Sequence, residues 1–156
     1  MAEMVTIRED DLIESVADAL QYISYFHPMD YIRALGDAYE AEQGPAAKDA
    51  IAQILTNSRM CAEGHRPICQ DTGIVNVFIE WGQNCRLESE KSLQEVVDEG
   101  VRRAYNNAEN KLRASVLADP AFTRRNTKDN TPSVLSVSMV PGSKVSVDVA
   151  AKGGGS

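Results

Sequence analysis

Apolar residues recur at helical spacing through the first 64 residues of the chain. A Thr6-x-x-Glu9 capping box introduces the first helical run, and His27-Pro28 interrupts it. The second run stops just before Pro45, which suits the first turn of a third helix. The pattern therefore predicts three helices, with apolar positions Leu12, Ile13, Val16, Ala17, Leu20 and Ile23, then Tyr31, Ile32, Leu35 and Tyr39, then Ala46, Ala47, Ala50, Ile51, Ile54 and Leu55.

The pattern changes after residue 64. Residues 65–73 have no helical period and are predicted to form a loop. Residues 74–81, IVNVFIEW, are rich in β-branched and aromatic side chains and predict a buried strand. A second capping box, Ser92-x-x-Glu95, belongs to a long helix predicted from about residue 89 to residue 112. Residues 113–132 are predicted to be irregular.

Two segments near the end of the sequence alternate apolar and polar residues. They cover residues 135–139 and 145–149, and Pro141-Gly142-Ser143 between them predicts a hairpin turn. The whole pattern predicts an α+β fold in which N-terminal helices precede a small, largely antiparallel sheet packed against a long helix. We expect one domain, helical over residues 1–64 and site-bearing over residues 65–156.

Composition narrows the classes of function. A chain of 156 residues with net charge −7 lacks the basic face that nucleic acids or an anionic membrane surface require. No apolar run approaches the roughly 20 residues of a spanning helix, and the acidic start does not resemble a signal peptide. Three cysteines argue against a disulfide framework. We therefore expect a cytoplasmic protein.

The stretch RPICQDTG, residues 66–73, is the first candidate site. Cys69 is either a small buried residue or a metal ligand or nucleophile, and the polar Gln70 and Asp71 beside it favour a site. A cysteine–histidine pair with His65 stays open as a weaker alternative. A cluster held by all three cysteines is less favoured, because their spacing is unlike that of ferredoxins; ordinary buried residues fit Cys61 and Cys85 better.

Three further candidate site features each have two possible interpretations, one structural and one functional. Asp71 either caps a turn or takes part in proton transfer. Arg113 is either a favourable charge at a helix C-terminus or a clamp for a substrate carboxylate. The final GGGS is either a linker-like tail or a backbone segment whose N–H groups can approach an anion.

Together these segments resemble the class I fumarases, which are iron–sulfur hydro-lyases related to the α-subunit of L-tartrate dehydratase. The resemblance covers essentially the whole chain, including the helical opening. Its motifs are RPICQDTG at 66–73, GVRRAY at 100–105, LRAS at 112–115, NTKDNTP at 126–132 and AAKGGGS at 150–156.

The resemblance implies a [4Fe–4S] cluster held by three cysteines, with one open iron that binds malate. Cys69 would be the first ligand, and the other two are expected downstream of KGGGS, outside this chain. Asp71 would transfer a proton, and the implied contacts to the dicarboxylate are Gln70, Asp71, Arg113, Gly154 and Gly155. We therefore expect the N-terminal portion of a fumarate hydratase, a homodimeric enzyme of the tricarboxylic acid cycle when complete and inactive as this chain alone.

Two alternatives remain open at this stage. The substrate could be tartrate or another hydroxy-diacid. The chain could also be a non-catalytic subunit that pairs with a separate chain carrying the remaining cluster ligands.

Overall fold

A computed structural model describes residues 4–154 of the chain. It confirms the predicted α+β fold class, with helices preceding a small sheet. Within that range the elements are β1 (Val5–Arg8), α1 (Glu9–Tyr25), α2 (Met29–Ala41), α3 (Pro45–Gly64), β2 (Ile74–Gly82), β3 (Cys85–Glu88), α4 (Leu93–Tyr105), β4 (Val134–Val140) and β5 (Val145–Lys152).

The three N-terminal helices lie where the apolar spacing predicts them. α1 ends before His27-Pro28, and Pro45 occupies the first turn of α3. The capping box predicted at Thr6 is wrong, because Thr6 lies in β1 and α1 starts at Glu9 without a side-chain cap. No helix among residues 4–154 is long and apolar enough to cross a membrane.

α4 begins later and ends earlier than predicted, since it starts at Leu93 rather than near residue 89. Ser92 and Glu95 form the predicted capping box, with each residue bonded to the other's backbone N–H. The helix stops at Tyr105 rather than near residue 112. The Asn107 side chain accepts hydrogen bonds from the N–H groups of Glu109, at 2.9 Å, and Asn110, at 3.3 Å. It thereby offers the backbone a turn in place of another helical turn.

The predicted hairpin is wrong. β4 and β5 lie on opposite sides of β2, so the three-stranded sheet has the order β4-β2-β5. β4 runs parallel to β2 and β5 runs antiparallel to it, which makes the sheet mixed rather than largely antiparallel. β1 and β3, which the pattern did not predict, form a separate parallel pair.

β2 takes the central position because it has the most apolar inner face. Its inward residues Val75, Val77, Ile79 and Trp81 are buried, whereas Phe78 on the other face is half-exposed. The predicted buried strand is therefore buried on one face only. A central strand has both hydrogen-bonding edges paired, which suits the most apolar segment of the sheet.

One hydrophobic core joins the helices to the sheet. α1 packs against α4 and β5, and buried side chains of α1, α4 and β2 belong to a single cluster. Gly100 of α4 makes the close approach to α1 possible, since a Cβ there would lie 2.8 Å from the carbonyl oxygen of Ile13. This core fixes the start of β2, where the candidate site begins.

Candidate functional site

The register of β2 and β5 brings two of the sequence motifs together. Ile74, at the start of β2, pairs with Lys152, at the end of β5. Gly73 has a φ of 76°, and a Cβ there would lie 2.8 Å from the Lys152 carbonyl carbon. A Cβ on Gly153 would likewise lie 2.9 Å from Oδ2 of Asp71. The CQDTG loop and the glycine run are therefore packed closely together, at distances that only glycine permits.

Hydrogen bonds tie the same loop to the end of α4 and to the segment that follows it. The Tyr105 hydroxyl donates to the carbonyl oxygen of Thr72 at 2.5 Å. The Thr72 hydroxyl in turn donates to the carbonyl oxygen of Arg113, also at 2.5 Å. Burial raises the pKa of Tyr105 to about 12, so its hydroxyl keeps its proton and remains a donor at neutral pH.

Asn130 is a second connection between these segments. Its side chain is fully buried, with a relative exposure of 0%. Nδ2 donates to the carbonyl oxygen of Gly73 at 2.9 Å, and Oδ1 accepts from the N–H groups of Ser115, at 2.8 Å, and Val116, at 3.3 Å. The sequence analysis did not single out Asn130, because a polar run such as NTKDNTP gives no signal of which member is buried.

The segment that carries Asn130 is held against α4. The Arg102 guanidinium lies 3.0 Å from the Asp129 carboxylate. Burial alone would raise the pKa of Asp129, but hydrogen bonds from Thr131 and Arg102 outweigh it and lower that pKa. Asp129 is therefore charged at neutral pH and keeps the segment paired with the helix.

These connections leave an open cavity of about 410 Å³ at the end of the sheet. Four of the residues that line this cavity are ones that the sequence predicts for the site: Gln70, Asp71, Arg113 and Gly154. The other lining residues are Gly73, Ile74 and Ser115. Gly155, the fifth predicted substrate contact, lies outside the described residues.

Asp71 caps a turn in the loop and also lines the cavity. Its Oδ1 accepts a hydrogen bond from the N–H of Gly73 at 3.1 Å, which is the turn-capping role. Asp71 is half-buried, and its Oδ2 lies close to Gly153. One carboxylate oxygen therefore holds the loop, and the other lies beside the glycine run.

The three cysteines differ in environment. Cys69 is exposed, with its Sγ 3.3 Å from Oε1 of Gln70, and it borders a shallow depression shared with Lys111 and Arg113. Cys61 and Cys85 are both buried, as the sequence favours. Over residues 4–154, no group of three His, Cys, Asp or Glu side chains is arranged to hold a metal ion.

The cysteine–histidine alternative gains no support from the geometry. The His65 ring stacks on Tyr25, with ring centroids 4.6 Å apart and an interplanar angle of 12°. The contact of the Cys69 thiol is instead the side-chain oxygen of Gln70.

The residues that line the cavity fall within the part of the chain that matches a known family. Residues 13–156 match the family described as fumarate hydratase (Fumerase), and the chain belongs to this family.

Two individual relatives of the chain are named for a different substrate, L(+)-tartrate. A Methanocaldococcus jannaschii protein, provisionally named L(+)-tartrate dehydratase subunit alpha, is 32% identical over 121 residues, covering 78% of this chain and 40% of its own length. The L(+)-tartrate dehydratase subunit alpha of Escherichia coli strain UTI89 is 28% identical over 144 residues, covering 92% of this chain and 47% of its own. The chain thus spans less than half the length of these relatives.

Proposed function

We propose that this chain supplies the N-terminal side of the active site of an iron–sulfur hydro-lyase that converts fumarate and water reversibly into L-malate. The observation that carries the proposal is the shared cavity of Gln70, Asp71, Arg113 and Gly154. Its volume of about 410 Å³ lies within the range of roughly 300–1,000 Å³ typical of ligand pockets. The motifs that line it are those by which the chain resembles class I fumarases.

The residues present fit one side of a [4Fe–4S] site. The Cys69 thiol is exposed in a depression that shares Gln70 and Arg113 with the cavity, where a cluster could reach it, while Cys61 and Cys85 are buried. We therefore assign one ligand, Cys69, to this chain, and expect the remaining cysteine ligands from residues beyond it. When bound, such a cluster would act as a Lewis acid toward the substrate hydroxyl and carboxylate.

The chain's own residues supply binding and proton transfer in this proposal. Arg113 presents a planar guanidinium suited to a carboxylate, and Gln70 and the backbone N–H groups of Gly154 and Gly155 provide neutral donors. Asp71 accepts the proton released from carbon when malate loses water, and returns it to carbon when fumarate is hydrated. The hydrogen bond from Gly73 to Oδ1 orients Asp71 so that Oδ2 can act as the base.

A tartrate dehydratase is the second candidate. The names of the relatives favour it, since both are L(+)-tartrate dehydratase alpha subunits. Those names also favour a subunit that works with a partner chain. Both alternatives use the same cavity and the same Cys69, so they differ in substrate and assembly rather than in the site of this chain.

The test is the activity of the complete protein, reconstituted anaerobically with iron and sulfide, on fumarate and on L(+)-tartrate. Arg113→Gln should lower kcat/KM roughly 10- to 100-fold, as expected for the loss of a hydrogen-bonded charge, and Arg113→Lys should lose less. Arg86→Gln, at an exposed arginine of β3, is the matched control and should change little. Turnover of tartrate but not fumarate would select the second candidate, and an unaffected Arg113→Gln enzyme would refute the assigned site.

The cofactor assignment has its own readout. Cys69→Ser should abolish the broad iron–sulfur absorption near 400 nm in the reconstituted complete protein, or shift it. The same substitution at the buried Cys85 serves as the control for loss of a thiol. An unchanged spectrum in the Cys69→Ser protein would contradict the ligand assignment.

A further inference from the structure

Asn130 joins the two sides of the candidate site. Building on the proposed function, we propose that Asn130 is a positioning residue that sets the separation between the Asp71 carboxylate and the Arg113 guanidinium. Asn130 does not line the cavity and would not contact substrate itself. It acts through the backbone on either side of the cavity.

The Asp71 side of this connection runs through Gly73. Asn130 Nδ2 donates to the Gly73 carbonyl at 2.9 Å, and the Gly73 N–H donates to Asp71 Oδ1 at 3.1 Å. A shift of Gly73 therefore moves the N–H group that orients the Asp71 carboxylate. Asn130 and Gly73 are 57 residues apart in the chain, so local structure does not fix their distance.

The Arg113 side runs through Ser115. Asn130 Oδ1 accepts the N–H of Ser115, two residues beyond Arg113, at 2.8 Å. The Arg113 carbonyl is itself held by the Thr72 hydroxyl at 2.5 Å. Arg113 is thus fixed from both sides, once by the loop and once by Asn130.

An asparagine suits this position for two reasons. Its amide presents a donor and an acceptor at once, so one short neutral side chain satisfies partners on both sides of the cavity. The backbone of Asn130 has a φ of 63°, a left-handed conformation that asparagine tolerates better than most residues. Aspartate keeps the acceptor and the backbone preference but loses the donor, which allows the two halves of the connection to be tested separately.

The segment that carries Asn130 is held against α4 on both sides of Asn130. The neighbouring Asp129 is paired with Arg102 of α4 at 3.0 Å, and the N–H of Ser133 donates to Asp98 of the same helix at 2.8 Å. Asn130 therefore transmits the position of α4 to both walls of the cavity. Catalysis is sensitive to such placement, because a misplacement of about 1 Å can cost roughly 10²-fold in rate.

The test compares Asn130→Asp with wild type in the complete, reconstituted protein. We expect kcat to fall by about 10- to 100-fold while KM changes less than about threefold, because proton transfer needs accurate geometry and the flexible Arg113 side chain can still reach a carboxylate. The ratio of variant to wild-type kcat should recover as the pH is lowered, because the introduced carboxyl group, once protonated, can again donate to Gly73. Asn106→Asp, at an exposed asparagine after α4, is the charge-matched control.

A second measurement does not depend on activity. In Asn130→Gly, which keeps the left-handed backbone, the Ser115 amide should lose its protection from hydrogen exchange, whereas Asn130→Asp should retain it. If the wild-type protein turns over neither substrate, the proposed function fails while this exchange result still decides the connection. Unchanged kcat in Asn130→Asp, or equal Ser115 exchange in all three proteins, would overturn the proposal.

Discussion

Gly73→Ala should separate the CQDTG loop from the glycine run and damage the candidate site. Gly73 has a φ of 76°, where an L-residue costs about 1–2 kcal/mol. The added methyl would also lie 2.8–2.9 Å from three backbone atoms of Lys152. Backbone cannot rotate away as a side chain can, so this overlap should cost about 1–3 kcal/mol more. We therefore expect a loss of about 2–5 kcal/mol in the free energy of unfolding, a large share of a typical total of about 5–15 kcal/mol.

Gly142→Ala is the matched control for this experiment. Gly142 also has a positive φ, 106°, but a Cβ there would meet nothing within 4 Å. It should lose stability through backbone strain of about 1–3 kcal/mol while leaving the cavity intact. Urea unfolding and the rate of the reconstituted complete protein measure the two effects. If Gly73→Ala kept full activity and lost no more stability than Gly142→Ala, the close packing of the two motifs would not matter to the site.

Two further predictions concern glycines within helices and a histidine in the loop between α1 and α2. Gly100→Ala should lower the free energy of unfolding, although alanine has the better helix propensity, because its Cβ would lie 2.8 Å from α1. Gly36→Ala has open space around the new methyl group and should raise the free energy of unfolding by about 0.5–1 kcal/mol. Urea midpoints that moved in the same direction in both variants would contradict this prediction. Burial lowers the pKa of His27, whose Nδ1 lies 2.9 Å from Ser58 Oγ, so the folded state binds a proton less readily than the unfolded state. Stability should therefore fall as pH drops below about 6.5, and His27→Asn, which does not titrate, should flatten the unfolding free energy between about pH 7 and 5.5.

Helices could be predicted from the sequence more accurately than strand pairing. The periodicity before residue 64 and the capping box at Ser92 depend on neighbours along the chain, which the sequence displays directly. The hairpin prediction was wrong because the turn at Pro141-Gly142-Ser143 permits pairing between β4 and β5 but does not require it. In the structure β2, which is more apolar, lies between β4 and β5 and pairs with both. This pairing depends on residues far apart in the sequence, so a local turn signal does not reveal it.

In the candidate site too, features local in the sequence could be predicted and long-range contacts could not. The residue types of RPICQDTG and KGGGS indicated chemistry, and the described members of the predicted set meet at one cavity apart from Cys69, which lies beside it. Their roles remain predictions. Asn130 could not be found in this way, because its importance comes from burial and from partners 14 to 57 residues away rather than from its neighbours.

The long sequence separations within the cavity also bear on how the protein is made. The loop is tied to its partners across 33, 41 and 57 residues, and β5 must pair with β2 before the glycine run reaches Asp71. At synthesis rates of about 5–20 residues per second, roughly 4–16 s pass between the appearance of Gly73 and that of Gly154. During this interval the CQDTG loop lacks the glycine run that packs against Asp71. The cavity can therefore form only after nearly all of this chain has been synthesised, because Gly154 is one of its lining residues.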